Sequence, residues 1–154
     1  MENLTNERNA PFFRFEDLRI YHKALDYMKW VHRATKSMKT HDHDNLSVRF
    51  NESARAIAMN IAEGSARNKS QFIYYLKMAK SSVRESLVYT SIIFDLGYMS
   101  QIQEQESRSF LMELTKMIGA LISSLQRSVA GTHESDEVDV DLPMDGHGMN
   151  PDNY

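Results

Sequence analysis

Between Phe15 and Ser128 glycine and proline are nearly absent, and apolar residues recur at steps of three and four rather than two. That spacing predicts helix. A first helix is predicted over about Glu16–Met38. Leu18, Tyr21, Leu25, Met28, His32 and Thr35 read as its core-facing stripe. A second line, Ile20, Ala24, Tyr27, Val31 and Ala34 with Trp30 beside it, lies next to the first. Together they make the apolar sector wider than one bundle seam needs. Either this helix is unusually buried, or part of it meets another subunit.

A second helix is predicted over about Asn45–Ser65 on the line Phe50, Ala54, Ile57 and Ile61, with Ala56, Ala58 and Ala62 small enough for close approach. Gly64 stands where a helix end favours a residue tolerant of left-handed geometry. A third helix, about Ser70–Leu96, carries Phe72, Leu76, Ala79, Val83, Leu87 and Phe94, and Gly97 stops it. Ser100 with Gln103 three residues on is a capping-box start for a fourth, whose wide stripe runs from Phe110 to Val129 and ends at Gly131. Such helices with short links predict an all-α, antiparallel up-down-up-down four-helix bundle. It occupies residues 15–131, between a flexible arm (1–14) and a tail (132–154).

Charge separates the tail from the body. Seven of the 21 acids lie from Thr132 onward, with no Lys or Arg, leaving 14 acids against all 18 bases in residues 1–131. The body is therefore mildly basic, at +4. The tail, which also holds Pro143, Gly146, Gly148 and Pro151, is expected to be disordered. It either simply keeps the protein in solution or folds back on the basic body and screens it from polyanions. With no cysteine there is no disulfide, thiolate nucleophile or Cys-based zinc site. The amino-terminal residues lack the basic start and apolar run of a secretory signal. No apolar stretch approaches the roughly 20 residues that span a bilayer. A soluble, cytoplasmic protein is expected.

Asn60, Ile61, Ala62, Glu63, Gly64 and Arg67 form the most distinctive run. Asn60, Glu63 and Arg67 share one face of a continued helix, and Ser82 and Glu85 on the third helix could meet them. The expectation is a structural polar clasp between the two helices. Truncating Glu63 would then cost about 1–3 kcal/mol through an unpaired buried partner. A general acid or base at Glu63 or Glu85 has no nucleophile beside it, and the nearby Arg favours plain charge pairing.

With Phe15-Glu16-Asp17-Leu18, Ala24, the Phe72, Leu76, Ala79, Ser82 and Glu85 spacing and Leu96-Gly97-Tyr98, that run resembles the 23S rRNA-intervening-sequence, or four helix bundle, proteins of bacteria. The likeness covers about residues 15 to 130. It implies a left-handed bundle assembled as a barrel-like homopentamer with no established enzymatic activity. The fold is similar to that of accessory proteins of diversity-generating retroelements, which work with a reverse transcriptase and RNA. Many relatives carry Gln and two Arg before the small-residue run; here Arg49, Phe50, Asn51 and Glu52 stand instead, which weakens any basic surface there. The usual Pro between the first two helices is also missing.

His41-Asp42-His43-Asp44 has residue types that suit zinc, but a short polar linker that also needs Asp44 or Asn45 as a helix cap accounts for it. No Glu is followed by His three residues later, which removes the usual di-iron pattern. No metal or cofactor is expected. Lys29, Arg33 and Lys36 share one face of the first helix, and Lys77, Lys80 and Arg84 one face of the third; these are the candidate nucleic-acid contacts. In a pentamer five copies would raise the field to roughly +20 before the tails are counted. With no phosphate-cradling loop, triad or dinucleotide fingerprint, the sequence argues against an enzyme. The leading expectation is a non-catalytic oligomeric module that binds RNA, or an RNA-handling partner such as a reverse transcriptase or rRNA. The alternative is a protein-interaction scaffold without nucleic-acid contact. The oligomer interface is expected on the first helix, at Ile20, Tyr27 and Trp30.

Overall fold

The structure is a computed structural model, and it describes residues 12–40 and 44–132. The expected flexible arm, apart from residues 12–14, and the expected disordered tail from His133 onward lie outside the described residues. Four helices follow in order: α1 (Arg19–Thr35), α2 (Leu46–Ser65), α3 (Lys69–Asp95) and α4 (Gln101–Thr132). A 3₁₀ turn, Arg14–Asp17, precedes α1, and another, Lys36–Thr40, follows it. The predicted first helix thus resolves into an α-helix between two tighter turns, because Leu18 is extended (φ −74°, ψ 122°) and interrupts the helical path.

Each helix packs on its two neighbours in sequence order, with α4 closing back on α1, while α1 and α3 stand at diagonal corners. This is the expected four-helix bundle. The other helix ends follow local chemistry. Asn68 Oδ1 accepts from Gln71 N–H at 2.9 Å at the start of α3. Ser100 and Gln103 exchange the two bonds of a capping box, 3.1 and 3.0 Å, at the start of α4. Gly97 takes φ 81°, and the amides of Gly97 and Tyr98 donate back to Phe94 and Ile93, a Schellman closure of α3. Asn45 precedes α2 in the left-handed region without a side-chain cap bond.

Two expectations are corrected. In α1 the second line supplies most of the core: Ile20, Ala24, Tyr27 and Val31 are buried and Ala34 half-buried, whereas of the expected stripe only Thr35 is buried, Leu18, Tyr21, Leu25 and Met28 are half-buried and His32 is exposed. The lines are adjacent and similar in hydropathy, and the choice between them is made by partners on the facing helices. Tyr27 finds Ser107 for its hydroxyl inside the bundle. Gly64 is likewise not a left-handed terminator. It lies within α2, and a Cβ there would stand 2.6 Å from Tyr75 Cβ and 2.8 Å from Phe72 Cδ2. It is glycine because α3 passes too close for any side chain.

Candidate functional site

The bundle centre holds a chain of hydroxyls that joins all four helices. Tyr27 Oη of α1 bonds Ser107 Oγ of α4 at 2.8 Å, and Ser107 Oγ bonds Thr90 Oγ1 of α3 at 2.7 Å. Thr90 donates to its own-helix carbonyl at Ser86, whose hydroxyl bonds Ser53 Oγ of α2 at 2.9 Å. Ser53 also donates to the Ser82 carbonyl. Burial pushes the Tyr27 phenol up to about 12, against the lowering effect of the Ser107, Thr90 and Ser86 hydroxyls. The phenol is therefore a neutral hydrogen-bonding group at ordinary pH. No buried side-chain nitrogen or oxygen among the described residues lacks a partner. With every member satisfied, this network fixes the relative rotation of the helices.

Sequence reasoning missed Ser53, Ser86, Thr90 and Ser107 because Ser and Thr read as surface. A signal existed. Thr90 continues the buried period Leu76, Ala79, Val83, Ser86, and Ser107 opens the period Leu111, Leu114, Ile118.

The expected clasp does not form. Asn60 Nδ2 donates to the Ala56 carbonyl of its own helix, and Ser82 Oγ to Met78 O of its own. Glu63 and Arg67 pair with each other at 2.5 Å, with side chains 54% and 42% exposed. Arg67 also lies over the Tyr75 ring. Glu85 is exposed on the outer side of α3. Glu63 and Arg67 turn largely to solvent, so a local pair between the last turn of α2 and the link that follows it answers the charge instead.

The expected interface residues are also relocated. Ile20 and Tyr27 are core residues and cannot meet another subunit. Trp30 is half-buried, stacked on Tyr27 with ring centroids 6.0 Å apart, and donates its indole N–H to Glu106 at 2.9 Å.

The basic triples divide. Lys29, Arg33 and Lys36 are exposed opposite the core side of α1. Lys77 and Arg84 are exposed and Lys80 half-buried on α3. Because α1 and α3 occupy diagonal corners, the two triples lie on different sides of one protomer and do not form a single patch. The α1 triple gains neighbours that the sequence did not assign to it. Lys36, His32 and Arg55 line one groove between α1 and α2. Its polar floor is built by Asn51, whose amide donates to Thr35 Oγ1 at 2.8 Å and to Ser47 O at 2.7 Å. Arg49 and Glu52 are exposed on the same helix as Arg55, while Phe50 is fully buried. This groove with its cationic edge is the best candidate for binding an anionic polymer. Of the His41–Asp44 run only Asp44 is described, and it is exposed; His41, Asp42 and His43 lie outside the described residues. Among the described residues no three His, Asp or Glu come together as a metal site, and no helix is long and apolar enough to cross a membrane.

Residues 16–120 match the family model described as 23S rRNA-intervening sequence protein. Among solved structures the chain is similar to a protein of unknown function from the S23 ribosomal protein family of Bacteroides thetaiotaomicron. That likeness has a TM-score of 0.62 at 18% identity, over 68% of this chain and 95% of that one. At that identity the likeness concerns the fold. No curated protein matches the chain.

Proposed function

The chain belongs to the 23S rRNA-intervening sequence protein family, and from that premise we propose that it is a non-catalytic helical module that binds RNA along the cationic edge of α1 and α2. One observation carries the reading. Lys36, in the turn just past α1, and Arg55 of α2 approach a single groove from opposite sides, and Lys29 and Arg33 continue the positive charge along α1. Phosphate contacts need cations placed along a path more than they need a particular sequence pattern. The α3 triple, Lys77, Lys80 and Arg84, would serve a second segment of RNA or a second protomer.

Self-association belongs to the same proposal, with its interface moved off α1. Tyr74, Met78, Val88 and Ile92 are exposed and fall within one narrow sector of α3. This stripe, two apolar pairs separated by Ser81 and Glu85, suits contact between copies, up to the closed ring that the resemblance implies. The same stripe supports the second reading, a protein-interaction scaffold without RNA.

Salt dependence separates the readings. Binding to a structured RNA should weaken steeply between low and moderate salt, with a log–log slope of roughly 0.7–0.9 per neutralised phosphate. Replacing Lys29, Arg33, Lys36 and Arg55 with Ala should lower that slope by about three. Affinity that is flat with salt, or unchanged by the four substitutions, contradicts the RNA reading. Light scattering that returns the 17.8 kDa monomer mass at micromolar concentration contradicts self-association.

A further inference from the structure

A long groove runs along α2 at the end of the bundle where α1 begins, walled on its other side by α1 and by the Phe12–Phe15 segment that precedes it. It consists of two cavities that share Phe15, Met59 and Ala62. Tyr21, Leu25 and Met28, half-buried members of the α1 line that the core does not absorb, form much of its wall. Met59, at 70% exposed, stands on the α2 side. The charged side chains along it are Arg14, Arg55 and Arg67 against Glu63 alone, and Arg67 already engages that carboxylate. The groove is apolar inside and positive at its rim.

The segment that follows α4 has the complementary pattern. Val138, Val140, Leu142 and Met144 alternate with Asp139, Asp141 and Asp145, with Glu137 before them. In an extended chain, successive side chains point to opposite sides, so these apolar residues would share one edge and the acids the other. The lengths agree as well. Thr132 ends α4 at the end of the bundle where α3 begins, since Lys69 Nζ donates to Ser128 Oγ there. Residues 133–137 can reach up to about 17 Å and residues 138–144 a further ~23 Å. From Ala66 back to Arg55, α2 rises about 17 Å.

We propose that residues 138–144 of the same chain dock as an extended strand-like segment in the α1–α2 groove. Val138, Val140, Leu142 and Met144 turn inward to Leu25, Met28 and Met59, and the acids face Arg14 and Arg55. Extended segments with apolar anchors at alternate positions are a recurring mode of peptide recognition. Tethering makes the encounter intramolecular, so weak contacts suffice to keep the groove occupied.

The test uses the absence of cysteine. In the full chain, Gly146→Cys accepts a single spin label, and the methionine methyl resonances report its position. Docking predicts loss of the Met28 and Met59 signals while Met78 and Met112, exposed on α3 and α4, persist. The loss should remain when the labelled chain is diluted with excess cysteine-free chain of natural isotopic composition. It should vanish in the full chain carrying Val140→Asp and Leu142→Asp. Uniform broadening, loss at Met78 or Met112 instead, or persistence in the double variant overturns the proposal. Loss that disappears on dilution also overturns it, since the occupant is then the tail of a second copy. No RNA is present, so failure here leaves the RNA reading untouched.

Discussion

Where α2 meets α3, Gly64 carries no side chain, and the small side chains of Ser53, Ser82 and Ser86 continue the seam, with Ser53 bonded to the Ser86 hydroxyl and the Ser82 carbonyl. Where α1 meets α4, the rings of Tyr27, Trp30 and Phe110 fill the space instead. Two rim contacts flank those rings, Trp30 with Glu106 and Lys23 with Glu113. The first seam brings backbones together by removing side chains, and the second holds them apart on aromatic bulk. A cavity lined by Lys23, Ile102 and Phe110 opens beside the second. The two should therefore answer substitution differently. Added volume is costly in the small-residue seam, and lost volume is partly forgiven at the aromatic rim. The distinctive run from Asn60 to Arg67 belongs to the small-residue side, so its glycine is a packing requirement rather than part of a reactive centre.

The largest effect is expected from Gly64→Val. Its side chain would meet Tyr75 and Phe72 at less than van der Waals distance, and relief requires moving α3. Such overpacking should cost about 3 kcal/mol, read as a lowered midpoint in urea denaturation. A midpoint near that of the natural protein would mean that the seam yields easily.

Tyr27→Phe sharpens the comparison from the other side. At neutral pH it should cost only about 1 kcal/mol, because Ser107 and Thr90 still bond each other. The pH profile is more telling. Below pH 10 the phenol is protonated whether the chain is folded or not. Between 10 and about 12 the unfolded chain releases the proton while the folded chain retains it, so stability falls across that window. The loss attributable to Tyr27 should reach roughly 2–3 kcal/mol by pH 12, and the variant should escape it. Parallel stability curves for the two proteins between pH 9 and 12 would contradict a buried phenol.

Smaller effects follow at the rims. Trp30→Phe removes the indole bond to Glu106 on a half-buried ring and should cost about 1 kcal/mol in thermal denaturation. Glu63→Ala breaks only an exposed pair one helical turn apart, worth about 0.3–0.5 kcal/mol and further reduced by salt. A loss of several kcal/mol at Glu63 would restore the buried clasp that the sequence suggested.

The helices were legible because their apolar period is unbroken and because Gly97, Ser100 and Gln103 mark their ends through local bonds. What periodicity could not supply was choice among neighbours. In α1 two adjacent apolar lines compete, and only facing residues such as Ser107 and Phe50 decide that Tyr27 enters the core while Tyr21 stays at its edge. Gly64 was visible, but its reason was not, since Tyr75 lies on another helix. The charged members of the expected clasp drew notice because charge near a core is costly. The hydroxyls that join the helices escaped it because Ser and Thr are common on surfaces. On the functional side, Lys29, Arg33 and Lys36 were readable from one helix, whereas Arg55 joins them only through the packing of α2 on α1.

Both Gly64 and Gly119 lie inside helices, and a Cβ at Gly119 would have nothing within 4 Å. Replacing each with Ala in turn and measuring urea midpoints applies one chemical change in two settings. Helix propensity alone favours Ala by roughly 0.5–1 kcal/mol. The account predicts opposite signs: Gly119→Ala stabilises by that amount, and Gly64→Ala destabilises by about 1–3 kcal/mol as its methyl group meets Tyr75. Stabilisation by both substitutions would contradict the claim that the run from Asn60 to Arg67 contributes its glycine to the close approach of α2 and α3.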